Sequence, residues 1–413
     1  MDWLAVFGAV VGIAGLYFAW RSLDDRPVKL SQDKFRSTRK ELRERAGPLS
    51  KLAANMHLAS NPSLRRIGNS DLLADASMTP SVPVPLNRVR VKWDDADPPH
   101  DAALQGIVKR ILPKRARWEK FQSYSEALGN LARPALFENR FTFRLIEADW
   151  NNPQGPELAF GKGTYFDVID QGEAVAHELA SASRRTPTST PPWRKLPLRA
   201  RFRTDPLSLS SRCVLTSIGT LTIRRTPDGE CTYFLLHRGV GQVAVGEGIY
   251  HVIPGGMFQP ASISPLGYLR DLDMWRNIMR EYNEEMLGAP EATGESGMEV
   301  DYSDPPYSDF EQARSGGQLR VWSLGMGLEP INLVPCLLTI AVFDSQVFDQ
   351  IFSSIVDRND EGVLITGPRS AGVTGLPLDA SEVGRLLKNE NVAPIAAALL
   401  HLALHHRSLL LDG

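Results

Sequence analysis

The stretch from Asp271 to Leu287 narrows the choice of folds more than any other part of the chain. Read as a helix, it sets Trp275, Ile278, Met279, Tyr282 and Met286 along one side at core spacing. Glu281, Glu284 and Glu285 fall at i, i+3 and i+4, so three carboxylates share another side. The apolar side has to be covered by a sheet or by other helices. The acidic side has a different need: crowded carboxylates repel one another, and a divalent cation relieves the repulsion. Hard cations such as Mg²⁺ prefer oxygen ligands and often bridge to substrate phosphates. Upstream, the strand-like run Tyr250-His251-Val252-Ile253 delivers the chain to a tight turn, Pro254-Gly255-Gly256, and Gly288 is placed to end the helix in the left-handed conformation.

The surrounding sequence predicts the cover for that apolar side. Thr220 to Ile223 and Thr232 to Leu236 are β-rich runs joined through Pro227-Asp228-Gly229, which predicts a hairpin. Leu319 to Leu324 and Leu333 to Phe343 read as strands, the second nearly continuous in apolar residues and so deeply buried. Helices are expected over Ser345 to Ile355, Ala380 to Leu387 and Val392 to Leu409. The acidic, Pro- and Gly-containing residues 289–318 read as a long loop. The order of elements predicts a small mixed sheet with helices on both faces.

Together, the turn and the acidic helix resemble the Nudix box of hydrolases that cleave nucleoside diphosphates linked to another moiety. The resemblance covers roughly residues 211–410, and its specific part is Pro254 to Gly288. It implies a Nudix-like α/β/α sandwich in the carboxy-terminal half of an α/β (mixed α+β) protein. It also implies Mg²⁺ or Mn²⁺ held by Glu281, Glu284 and Glu285 against a nucleotide-diphosphate-type small molecule. Glu284 and Glu285 would take part in catalysis, Arg280 would orient the carboxylates through an ion pair, and Gly255 and Gly256 would bring backbone close to the phosphates. Such metals neutralise the dense charge of a diphosphate and lower the pKa of a bound water. A carboxylate that the metal does not fully engage can accept that water's proton.

Three departures from the family's pattern stand beside the match. Fourteen residues, Met257 to Arg270, separate Gly256 from the helix where the family has a short loop. The pattern's first Glu falls on Leu272, flanked by Asp271 and Asp273, and Gly288 comes one residue late. Asp273 is a candidate to replace the missing carboxylate. The departures keep a second class of function open, a noncatalytic nucleotide sensor or interaction protein on the same fold.

The amino-terminal half carries less chemistry. From Trp3 to Trp20 no residue is charged, and Trp3, Tyr17 and Trp20 are placed as interface anchors. A transmembrane helix is expected over residues 3–20, with the bilayer as partner. The basic residues from Arg21 onward put the remaining domains on the cytoplasmic side of the cell membrane as a single-pass protein. Residues 1–30 form that anchor, 31–86 a juxtamembrane helix and linker, and 87–183 an α+β domain of unreadable role. Residues 184–210 form a Pro-rich linker, and 211–413 the Nudix-like domain. Within 87–183, a helix is expected over Arg117 to Leu128, a hairpin turn at Gly161-Lys162-Gly163, and a helix opening at Asp170. Glu173 and His177, one turn apart on that helix, are a weak metal candidate.

Composition excludes little but points consistently. With 46 Lys and Arg against 48 Asp and Glu there is no global basic signature, and no nucleic-acid partner is expected. Cys213, Cys231 and Cys336 are widely spaced and read as reduced core residues. His401, His405 and His406 on the last helix lack a third metal ligand nearby and read as surface or intersubunit histidines, compatible with a homo-oligomer. His237, Arg238 and His251 are candidates for phosphate contact.

Overall fold

A computed structural model describes residues 26–134, 137–184, 190–207, 209–238, 248–261, 264–290, 299–356, 358, 362–365 and 375–411. Two long apolar strands make its centre. Ser217–Arg225 and Pro335–Asp344 pair in parallel, from Ser217 opposite Cys336 to Arg225 opposite Asp344. Every residue of Pro335–Asp344 but the last is buried, as its continuous apolar run requires of a strand covered on both faces. Antiparallel additions extend this pair into a nine-stranded mixed sheet. Leu319–Leu328 lies against Pro335–Asp344. Cys231–Tyr233 returns along Ser217–Arg225 through the expected turn, where Gly229 takes φ +88°. Gly255–Met257 pairs with the first residues of Ser217–Arg225.

Helices cover both faces of this sheet. On one, the Tyr282 hydroxyl meets Thr222 Oγ1 at 2.8 Å, which seats the helix Met274–Glu285. Gly219 lies three positions earlier and so points to the other face. There it leaves no room for a side chain beneath Ile395 of the helix Pro394–His405. Tyr282 also anchors an aromatic cluster, with ring centroids 5.3 Å from Phe310, 5.7 Å from Phe343 and 5.5 Å from Phe352.

Several expectations are corrected. The segment expected to span a membrane, residues 3–20, lies outside the described residues. Among those described, no helix is long and apolar enough to cross a membrane. The described residues form a mixed α+β arrangement in which no helix spans a membrane, so the single-pass, cytoplasm-facing placement has no structural support. The helical stretch 26–44, which begins the region expected as a juxtamembrane helix, is packed into protein. Its Phe35, Thr38, Arg39 and Leu42 are buried, and the Arg39 guanidinium meets the Glu173 carboxylate at 2.5 Å. Residues 65–85, within the 31–86 region expected as juxtamembrane helix and linker, add strands to the central sheet: Val84–Pro85 and Leu73–Ala74 both pair with Leu319–Leu328.

The amino-terminal unit has its own three-stranded sheet, with Phe141–Asp149 antiparallel and Arg90–Trp93 parallel to Glu157–Thr164. Gly161-Lys162-Gly163 lies inside the last of these strands rather than in a turn. Lys114–Ala116 and Glu119–Lys120 form a small hairpin whose second strand occupies the start of the stretch expected as a helix, Arg117 to Leu128. The helix begins only at Tyr124, after Ser123 caps it through the Glu126 N–H. The helical run expected from Asp170 starts at Tyr165, after Thr164. Glu173 and His177 are not a metal pair. Glu173 is spent on Arg39, while His177 Nδ1 stands 3.0 Å from the Tyr124 hydroxyl.

The Pro-rich stretch before residue 211 is tightly packed. The Arg199 guanidinium is fully buried and donates to the carbonyls of Pro330, at 2.7 Å, and Ile331. Arg212 donates to Leu333 O at 2.6 Å. Two buried arginines thereby hold the loop between the strands Leu319–Leu328 and Pro335–Asp344, where Leu333 takes φ +61°.

Candidate functional site

The acidic helix starts where Asp273 accepts the backbone N–H groups of Trp275 and Arg276, at 2.7 and 3.1 Å. It ends before Gly288, at φ +73°. Asp273 is thus occupied as an N-cap. At its carboxy-terminal turn the helix lies against the Pro-Gly-Gly turn. Glu285, buried, accepts the Gly255 N–H at 3.3 Å. The Glu281 carboxylate fills the space where a side chain on Gly256 would stand. Gly255 and Gly256 therefore meet two of the three glutamates directly. Glu284 lines the same cleft, half-buried.

Arg280 sits behind this group. Its guanidinium is 3.7 Å from Asp271 and donates to the Tyr302 hydroxyl at 2.6 Å, to Asn277 Oδ1 at 3.1 Å and to Gln259 O. Tyr302 in turn donates to Asp271 at 2.8 Å. Burial disfavours the charge on Arg280, but Tyr302, Asp271 and Glu281 outweigh it and raise its pKa. So Arg280 feels the charge of Glu281 while tying the helix to the inserted segment and to Tyr302.

The segment Met257 to Arg270 between the glycine turn and the helix has a structural task. Phe258 is buried with its ring 4.8 Å from Phe143 and 4.9 Å from Phe160, and Phe258 O accepts the Phe143 N–H at 3.2 Å. Tyr268 stacks on Phe141 at 4.8 Å. The residues that lengthen the loop dock the acidic helix onto the amino-terminal unit.

His251 lies beside this turn. Its Nδ1 is 2.9 Å from Val252 O, so it donates there and leaves Nε2 as an acceptor. Burial, with the Arg238 charge added, pushes its pKa down to about 3 and keeps the ring neutral. His251, Arg238 and the three glutamates line one cleft of about 1510 Å³. Among the described residues, no group of three or more His, Cys, Asp or Glu is gathered as a ready metal site. The donors still fit Mg²⁺ in kind, because this ion is usually held by one or two carboxylates, with waters and substrate phosphate completing its shell. Elsewhere, His401 and His405 stack with centroids 6.1 Å apart on the last helix.

No family model matches the chain, and no curated protein matches it. Among solved structures, the chain is similar to the crystal structure of a Nudix hydrolase from M. Smegmatis, RenU. Identity is 13%, the match covers 47% of this chain and 86% of that chain, and the TM-score is 0.21. A likeness at that level carries no argument for activity. The functional reading stands on the geometry of the cleft.

The sequence singles out Glu281, Glu284, Glu285, Gly255 and Gly256, and all five line this cleft. It gave no signal for Arg133, Arg140 and Tyr165, which line the same cleft from the amino-terminal unit. Nothing in their local pattern distinguishes them from other surface cations and aromatics.

Proposed function

We propose that the cleft is the active site of a metal-dependent hydrolase acting on a nucleoside diphosphate linked to another moiety. The observation that carries this reading is the meeting of Glu285 with the Gly255 N–H and of Glu281 with Gly256. It puts a carboxylate-bearing helix and a glycine turn into one concave site. Glu281, Glu284 and Glu285 would hold Mg²⁺ or Mn²⁺, which supplies neutralisation of phosphate charge and a bound water of lowered pKa.

The chain's own residues do the rest. Gly256, without a side chain, lets the Glu281 carboxylate lie against the turn. The hydrogen bond to Gly255 fixes Glu285 and lowers its freedom to reorient. Glu284, less buried than Glu285, is the carboxylate placed to accept a proton from water. Arg238 offers positive charge to a phosphate, and neutral His251 offers an acceptor nitrogen to a ligand hydroxyl or amino group.

The second reading, a noncatalytic nucleotide-binding site, is favoured by one observation. Arg280 and Asp273, which flank the altered part of the box, are engaged in holding the insertion and capping the helix. Turnover separates the two. The full chain is incubated with Mg²⁺ and a panel of nucleoside diphosphate derivatives, beside a Glu284→Gln, Glu285→Gln variant. Hydrolysis that needs metal and falls about 100-fold or more in the variant is expected for the enzyme. Saturable metal-dependent binding without turnover selects the sensor.

A further inference from the structure

The amino-terminal unit forms one wall of the cleft that the acidic helix lines, through Arg133, Arg140 and Tyr165. Two backbone hydrogen bonds fix where that wall stands. Tyr165 N–H donates to Arg140 O at 2.8 Å, joining the start of the helical run to the start of the strand Phe141–Asp149. Phe143 N–H donates to Phe258 O, two residues beyond Gly256. The same segment that docks the two units therefore ties the strand following Arg140 to the chain just beyond the glycine turn. The cleft between them, at about 1510 Å³, exceeds the roughly 300–1,000 Å³ typical of a site for one small ligand. It has room for two linked groups.

The cleft carries both signs of charge. The acidic helix lines it with Glu281, Glu284 and Glu285, and the amino-terminal unit adds two guanidinium groups, Arg133 and Arg140. Arg140 is bound to Glu138 Oε2 through Nε and Nη2, at 3.1 and 3.0 Å. The Glu138 side chain is 52% exposed against 24% for Arg140. An ion pair to so exposed a carboxylate is weak. A phosphate, whose oxygens match the guanidinium fork and whose charge is higher, competes for it effectively. The Arg133 guanidinium stands 5.9 Å over the Phe137 ring.

We propose that Arg133 and Arg140, with Tyr165 beside them, form an anion subsite for a phosphate group at the far end of the ligand whose anhydride lies at Glu281, Glu284 and Glu285. The subsite rests on the diphosphate reading of the acidic wall for the ligand's orientation, and it gives residues 133–165 a part in recognition. In the free protein Glu138 holds Arg140 in place; when ligand enters, phosphate takes over the guanidinium and Glu138 turns to solvent.

The test uses the full chain with inorganic tripolyphosphate in EDTA, measured by isothermal titration calorimetry. Without metal the glutamates repel the probe, so binding reports on the cations. Wild type is expected to bind saturably, and Arg133→Gln with Arg140→Gln to weaken binding about tenfold. Glu138→Gln, which removes the competitor and leaves the fold undisturbed, is expected to tighten binding about threefold. Arg385→Gln, at an exposed arginine outside the cleft lining, should change it less than about twofold. No binding by wild type, unchanged binding in the double variant, or a larger loss in Arg385→Gln than in the double variant overturns the subsite. If tripolyphosphate binding follows the expected pattern but Mg²⁺-dependent turnover fails, the hydrolase reading falls and the subsite stands. Turnover without the binding pattern removes the subsite alone.

Discussion

Gly256 carries a constraint that its neighbours do not share. A methyl group there would overlap the Glu281 carboxylate, which is the flexible end of a side chain. Gly256→Ala should therefore leave the fold close to intact while displacing a metal ligand. We expect metal-dependent turnover or binding to drop on the order of tenfold, with a thermal midpoint near that of wild type, checked by calorimetry on the same sample. Glu329 offers a pH handle at the other end of the cleft. Burial raises its pKa to about 7, against partial relief from the Ile331 N–H, Ser50 and Arg199. The folded state then holds a proton that the unfolded chain releases. Its contribution to stability is fully present below about pH 4.5 and is lost as pH rises through about 7. Glu329→Gln should raise the melting temperature at pH 8 and change it little at pH 4. His57 and His177 act with the opposite sign. Burial pushes both down to about 3, so the folded state resists their protonation and loses stability as pH falls from 6.5 towards 3.

The insertion Met257–Arg270 shows how an element acquires a role that its length alone hides. As sequence it is an interruption of a short loop. In the fold its Phe258 ring fills a site between Phe143 and Phe160, and Gln259 O receives Arg280. Phe258→Ala should cost about 3–5 kcal/mol of stability. It should also loosen the acidic helix, seen as faster amide exchange at residues 274–286 than at the Pro335–Asp344 strand. The helix Met274–Glu285 was legible because its apolar positions repeat at 3.6-residue spacing and Asp273 and Gly288 punctuate its ends. The helix Tyr307–Ser315 was not. Its buried Tyr307, Phe310 and Ala313 lie three residues apart, but acidic, proline- and glycine-containing neighbours gave the segment the composition of a loop. Gly161-Lys162-Gly163 misled in the opposite way. Gly163 sits in a strand because a side chain there would collide with Leu215, a neighbour more than fifty positions away.

The chain as a unit is bound together by segments that read as connectors. Residues 65–85 complete the central sheet, Arg199 and Arg212 clamp the loop at 330–333, and a continuous buried core joins Phe143 and Phe160 to Phe258 and Tyr282. A fragment of residues 211–413 should accordingly fail to fold alone. Expressed without the first 210 residues, it is expected to lack a cooperative thermal transition and to be cut rapidly by protease, whereas the full chain resists; a cooperative melt of the fragment would sink this expectation. Residue pattern was enough for the central strands, the Pro227-Asp228-Gly229 hairpin and the acidic helix, because each depends on alternation, periodicity or a turn residue within about twenty positions. Periodicity also identified Glu281, Glu284 and Glu285 as a shared face. It could not say that Glu285 would bind Gly255, that Arg280 would turn to Tyr302 and Asp271, or that Arg140 would line the same cleft. Those outcomes depend on burial and on partners brought together from distant segments. Local sequence carries no record of them; they exist only once the insertion has docked one unit on the other.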